Sequence, residues 1–170
     1  TLRFTGNALN TPVYLLAQGD VNIRGTINVS GTGYITRAAG AGGPGGFDGG
    51  NATPVADFPA GEGQGPGGGK YNECGVYAVP RGTNSRVYGN SLLMPLIGGS
   101  GGGPYFIYGG GGGGGAILIA SSTKVTVAGT IDDPGGQGAA PSGSGGAIRI
   151  VAPLVDGSGT LDASSANGNP

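Results

Sequence analysis

Residues 116–133 read AILIASSTKVTVAGTIDD, and the same pattern recurs at 13–29 as VYLLAQGDVNIRGTINV and at 147–163 as AIRIVAPLVDGSGTLDA. Each copy holds an aliphatic quartet (Ile117-Leu-Ile-Ala120, Tyr14-Leu-Leu-Ala17, Ile148-Arg-Ile-Val151) and a short turn. A second strand follows, then a close of the form Gly-Thr-(Ile/Leu)-(Asn/Asp) that begins at Gly129, Gly25 and Gly159. In residues 125–131, VTVAGTI, apolar and small polar residues alternate with period two, the mark of a half-buried strand. No stretch sustains a helical period of 3.6, so the sequence predicts a nearly all-β chain.

Two short strands cannot bury an apolar face alone, and a solenoid is what stacks such units so that each covers the next. The sequence therefore predicts a parallel β-helix or solenoid-like stack with long glycine-rich loops. Its rival is a β-sandwich, which needs antiparallel strands joined by tight turns, and Asp156-Gly157 is one such turn dipeptide. The matching phase of the three copies favours the solenoid. In this reading residues 1–170 form one β-rich domain: repeat 1 at 13–33, a glycine-rich insertion at 40–115, repeat 2 at 116–138 and repeat 3 at 147–165. The insertion carries short apolar pieces at 76–79, 91–94 and 105–108 that are candidates for extra strands.

Glycine supplies 43 of the 170 residues, against an ordinary share of roughly 7%. A strict Gly-X-Y period is absent, which excludes collagen. Only 10% of residues are charged and 36% are hydrophobic, unlike the charge-rich composition that keeps a chain disordered. Ordering so much glycine is entropically costly, and contacts from identical copies in a polymer or lattice would offset that cost. The net charge of −1 and the scattering of six arginines and two lysines leave no electrostatic footprint for nucleic acid. No apolar run approaches the ~20 residues that span a bilayer. Because the chain starts at Thr1 without Met or signal peptide, a processed, secreted product is expected.

The stretch GGGGGGAILIASSTKVTVAGTIDDPGGQG, followed by SGSGGAIRIVAPLVDGSGTLDASS, resembles glycine-rich repeat regions of large secreted or surface proteins of environmental bacteria. Those regions look like β-solenoids, so the resemblance implies surface or extracellular duty without implying an activity. It covers the C-terminal third closely and residues 13–33 more loosely. The run at 109–115 is also similar, at lower specificity, to the packed polyglycine helices of glycine-rich phage tail adhesin tips.

The chemical inventory is thin. With no histidine, histidine triads and histidine metal sites are excluded, and the lone Cys74 allows no intramolecular disulfide. Cys74 is expected as a small core residue, with an intermolecular bridge as the minor option. Asp132, Asp133, Asp156 and Asp162 are the acid/base candidates. Asp132 and Asp162 share a repeat slot with Asn28, which cannot ionise, so turn formation explains the slot better than catalysis. The calcium nonapeptide is missing, and the run from Gly65 to Lys70 continues into Tyr71 rather than Ser or Thr, so it is no phosphate loop. No catalytic, cofactor or metal residue is assigned. Asn28-Val-Ser30 and Asn51-Ala-Thr53 fit the glycosylation sequon.

Assembly is where the sequence points. Thr1, Leu2, Arg3 and Phe4, apolar at alternate positions, are the candidate donor strand within an assembly segment at 1–12. Deleting residues 1–10 is then expected to leave soluble monomers. Tyr105, Phe106 and Tyr108 are candidate anchors between subunits, with a sugar-stacking platform as the alternative. The expected protein is a non-enzymatic structural subunit of an extracellular filament or surface layer, with itself as partner. A carbohydrate-binding or adhesive module that takes surface glycans is the first alternative. More remote are an ice-binding solenoid, from the recurrent Thr26, Thr130 and Thr160, and a polysaccharide-degrading β-helix enzyme.

Overall fold

The computed structural model describes residues 1–52, 61–77, 86–138 and 141–166. Among these residues there are ten short strands and no helix. They are β1 (Leu2–Arg3), β2 (Val13–Ala17), β3 (Val21–Ile23), β4 (Thr26–Asn28), β5 (Ala116–Ser121), β6 (Lys124–Val127), β7 (Thr130–Asp132), β8 (Ala147–Val151), β9 (Leu154–Asp156) and β10 (Thr160–Asp162). Three sheets result, with orders β2-β5-β8, β3-β6-β9 and β1-β4-β7-β10. Every strand-to-strand pairing is parallel, which is not the pairing of an antiparallel sandwich. The chain visits the sheets in one fixed order, so each sequence repeat makes one tier of the stack.

Register follows the repeat residue for residue. Ile117 lies between Val13 and Ile148, Val125 between Val21 and Val155, and Ile131 between Ile27 and Leu161. Alternation along β5 to β7 sends Ile117, Ile119, Val125 and Ile131 inward, where all four are fully buried among Val13, Ile23, Ile27, Val29 and Val127. The corner between the second and third strands of a tier explains the recurrent glycine. A side chain at Gly129 would collide with the carbonyl of Gly25 in the tier above, and one at Gly159 with the carbonyl of Gly129.

The insertion at 40–115 adds no strand to these sheets among its described residues. Tyr105 and Tyr108, like Ile35 and Ala38, instead close two-residue turns, with Phe106 and Thr36 at φ 51° and 52°. Between the turns the chain runs in extended segments joined by backbone hydrogen bonds whose partners recur every three residues. Gly110 and Gly113 donate to Gly50 and Phe47, Gly111 and Gly114 to Pro141 and Ser144, and Gly112 and Gly115 to Thr32 and Val29. Their carbonyls accept from Gly40 and Gly43, from Gly102 and Gly99, and from Gly136 and Ala147.

Three residues per turn with no internal bonds is the geometry of a polyproline II helix. Residues 110–115 are thus the axis of a bundle, with six neighbouring stretches around them and no backbone donor or acceptor left over. Such spacing leaves no room for side chains: a Cβ on Gly110 would run into the carbonyl of Gly102, and one on Gly113 into that of Gly99. The Cα-H groups therefore face carbonyl oxygens, a weak attraction repeated many times. The bundle is inserted between tiers, leaving the stack after β4 and β7 and re-entering at β5 and β8.

Candidate functional site

The far end of the bundle gathers five aromatic residues. The turns at 34–38, 71–72 and 105–108 meet there, joined by bonds from the Gly109 amide to the Thr36 carbonyl (3.0 Å) and from Asn72 to Pro104 (2.9 Å). Tyr34 stands edge-on to Tyr108 with centroids 5.8 Å apart, Tyr105 edge-on to Phe106 at 4.5 Å, and Tyr71 is tilted against Tyr105 at 6.1 Å. Phe106, Ile107, Tyr108, Tyr71 and Ile35 remain exposed. The three aromatic residues singled out from sequence thus come together, and Tyr34 and Tyr71 join them. The sequence reading missed these two because they lie far away along the chain, and only the side-by-side packing of the glycine segments brings them close.

The second candidate is the end of the stack. In the first and middle tiers Ile27, Val125 and Ile131 are buried, whereas Leu161 and Val155 in the last tier are 53% and 49% exposed, although they occupy the same ladders as Ile131 and Val125. Leu154 and Val151 are exposed beside them. At the opposite end, Leu2 and Arg3 pair with Ile27 and Asn28 of the same chain, and the Phe4 amide donates to the Asn28 carbonyl at 2.9 Å. This is the bond that Val29 makes to Asp132 and Asp133 to Asp162. Residues 1–3, Thr-Leu-Arg, therefore fill the slot of the closing motif Thr-Leu-Asp at 160–162, a partial copy that sequence reading overlooked because these residues carry only the last piece of the motif.

Carboxylates divide by environment. Asn28, Asp132 and Asp162 are consecutive in one ladder, and the Asn28 amide donates to the Asp132 carboxylate at 2.6 Å, so the first sequon asparagine is engaged within the sheet. Asp156 lies 2.7 Å from the Lys124 ammonium, whose hydrogen bond draws its pKa down. Asp133 is fully buried, and neither carboxyl oxygen has a hydrogen-bond partner. Burial pushes its pKa well above the usual carboxylate value. The nearby amides of Gly115 and Ala147 act against this, but they are already bonded to Val29 and Gly115. Burial therefore disfavours the charged form of Asp133.

A buried polar set ties the bundle base together. The Tyr88 hydroxyl donates to the Gly98 carbonyl at 2.7 Å and accepts from Ser100 Oγ at 2.9 Å, and Ser100 Oγ accepts from the Gly67 amide at 3.0 Å. Burial raises the Tyr88 pKa to about 12, so this phenol braces backbone and does not trade protons near neutrality. Cys74 is half-buried and free, its sulfur 3.9 Å from Ser142 Oγ. An open cleft of about 550 Å³ lies between the N-terminal segment and the bundle, lined by Arg3, Asn7, Asn10, Ser30, Asp48 and Gln64 among others.

Among the described residues no group of three or more His, Cys, Asp or Glu side chains is arranged to hold a metal ion, and no helix is long and apolar enough to cross a membrane. Thr26, Thr130 and Thr160 do align in a single ladder. No family model, curated protein or solved structure matches the chain.

Proposed function

We propose that the chain is a non-enzymatic structural subunit of an extracellular filament or surface layer, built on a short β-solenoid of three tiers and assembling with copies of itself. The observation that carries this reading is the last tier, where Val155 and Leu161 are half exposed at positions whose ladder partners Val125 and Ile131 are fully buried. Among the described residues its backbone edge is unpaired as well, and an open parallel edge with an apolar inner side is a template for another tier. The carboxylates support a role without catalysis: Asp133 is sealed in the interior, Asp156 is tied to Lys124, and Asp132 shares its ladder with an asparagine. Extracellular placement rests on the resemblance of repeats 2 and 3 to surface-protein repeat regions.

Electron microscopy of the purified chain tests the reading. Filaments whose axial repeat is three tiers, three times the inter-strand spacing of about 4.8 Å, are expected. Solitary particles at every concentration would contradict it. The exposed aromatic end favours a second reading, an adhesive module that stacks sugar rings on Tyr71, Phe106 and Tyr108. Glycan-array binding by soluble monomer, lost in Phe106→Ala, would support that alternative.

A further inference from the structure

Among the described residues the two carboxyl oxygens of Asp133 are the only buried side-chain polar atoms without a hydrogen-bond partner, and an orphaned group of that kind asks for an explanation. The carboxyl and the main-chain carbonyl of the same residue converge on the backbone of Gly114 and Gly146. A Cβ on Gly114 would run into both the Asp133 carbonyl oxygen and Oδ1, and one on Gly146 into both carboxyl oxygens. The Gly146 amide donates to that carbonyl at 3.1 Å. The next residue is Pro134, and Asp133-Pro134 is the one Asp-Pro pair in the sequence. A proline nitrogen carries a ring carbon in place of its hydrogen, so it is more basic than an ordinary amide nitrogen and departs more readily as an amine.

We propose that Asp133-Pro134 is a self-cleavage site, at which the Asp133 carboxyl attacks its own main-chain carbonyl and severs the chain ahead of Pro134. A carboxyl oxygen bonds to the carbonyl carbon and closes a five-membered cyclic anhydride. The carbon–nitrogen bond to Pro134 breaks, and the carboxyl proton passes to the departing nitrogen, which becomes a secondary amine. Water then opens the anhydride to two carboxyl groups, so the sum is hydrolysis of one peptide bond with no oxidant or reductant. The unpartnered oxygens have no hydrogen bonds to give up before the attack. The Gly146 amide stabilises the charge that gathers on the carbonyl oxygen, as an oxyanion hole does. Burial, helped by the nearby carboxylates of Asp132 and Asp162, keeps the proton on Asp133 to a higher pH than on an exposed aspartate, against the amides of Gly115 and Ala147. The phenol of Tyr77 is the remaining titratable group that feels its charge among the described residues. The cut separates the second tier from the third, and the parallel pairing of β5 with β8, β6 with β9 and β7 with β10 holds the two pieces together. It occurs once per molecule and turns over no other substrate, so it is independent of the assembly reading.

Mass spectrometry of the chain held in mild acid, folded and in parallel in denaturant, is the test. Fragments 1–133 and 134–170 should accumulate faster from the folded chain than from the unfolded one, at a rate that falls as pH rises through the folded pKa of Asp133. In heavy-oxygen water the label should enter the side-chain carboxyl of Asp133 as well as its new terminal carboxyl, because the anhydride opens at either carbon. Asp133→Asn, nearly identical in shape but without the acidic proton, should lose both fragments. Pro134→Ala, which restores an ordinary amide nitrogen, should slow their release, and circular dichroism at the same pH verifies that both variants are folded. Absence of the fragments, cleavage of the folded chain no faster than of the unfolded one, label confined to the terminal carboxyl, or undiminished cleavage in folded Asp133→Asn would each overturn the proposal. Filament formation enters none of these outcomes.

Discussion

In the β stack Ile117, Ile119 and Ile131 lose all exposure by packing side chain on side chain. In the glycine bundle residues 110–115 have no side chain to bury and pack backbone on backbone, every amide and carbonyl engaged with a neighbouring segment. The two regions draw on different forces. The stack gains about 25 cal/mol for each Å² of apolar surface removed from water. Each bundle hydrogen bond nets only about 1 kcal/mol, because water is given up in exchange, and glycine loses more backbone entropy on ordering than other residues. A side-chain core can absorb a small change in shape, but backbone packed against backbone cannot absorb even a methyl group. The bundle should therefore be the less forgiving half of the molecule despite having the simpler sequence.

The largest effect is expected where that intolerance is greatest. Gly113→Ala places a methyl against the Gly99 carbonyl and should cost more than about 4 kcal/mol, the range reserved for severe core lesions, seen as a collapse of the chemical-denaturation midpoint. A fold of wild-type stability would show that the bundle is loose. Next comes the stack: Ile131→Ala empties a fully buried site and should cost about 2–5 kcal/mol, again read from denaturation, with a loss below 1 kcal/mol pointing to an interior that simply closes over the gap.

Asp133 sits at the seam between the regions, against Gly114 and Gly146. Its folded pKa is raised above the ordinary 3.8, so its contribution is fully present below that value and is lost as pH rises through the folded pKa. Asp133→Asn, which cannot ionise, should raise the stability at neutral pH relative to the wild type, because burial works against a carboxyl that would otherwise ionise there. The gain should vanish below the ordinary carboxylate value. An equal effect of the substitution at all pH values would mean that the carboxyl finds a partner. Smallest of all is Lys124→Ala, since the Lys124 and Asp156 side chains lie at the surface, 34% and 44% exposed, and surface pairs add little. Its thermal midpoint should match the wild type within error, and a clear drop would place real stability on the outer face of the stack.

The stack was legible in the sequence because one physical pattern, period-two alternation closed by a corner glycine, was repeated three times at matching spacing. Its tiers, strand order and ladders of Thr26, Thr130 and Thr160 follow directly from aligning the copies. β1 was harder to see, since residues 1–3 carry only the last piece of the motif, and the sequence reading made them a donor to a neighbour rather than a strand of their own sheet. The bundle was legible only as composition. Polyproline II segments have no side-chain period, and their order comes from which backbone each amide reaches, information that a run of identical glycines does not carry. The apolar pieces at 91–94 and 105–108 were read as candidate strands, yet Leu93 and Phe106 adopt φ of 49° and 51°, turn values that strand propensity does not report. The aromatic end follows the same rule: three of its members were adjacent in sequence and visible, and two were brought in by the fold.

Amide hydrogen exchange on the native chain addresses the central claim, that the glycine segments are held by hydrogen bonds to one another as firmly as the strands are. Protection of residues 110–115 comparable to that of Ile117 and Ile119 is the expected result. Exchange of the glycine amides at the rate of free peptide, with the strands still protected, would contradict it.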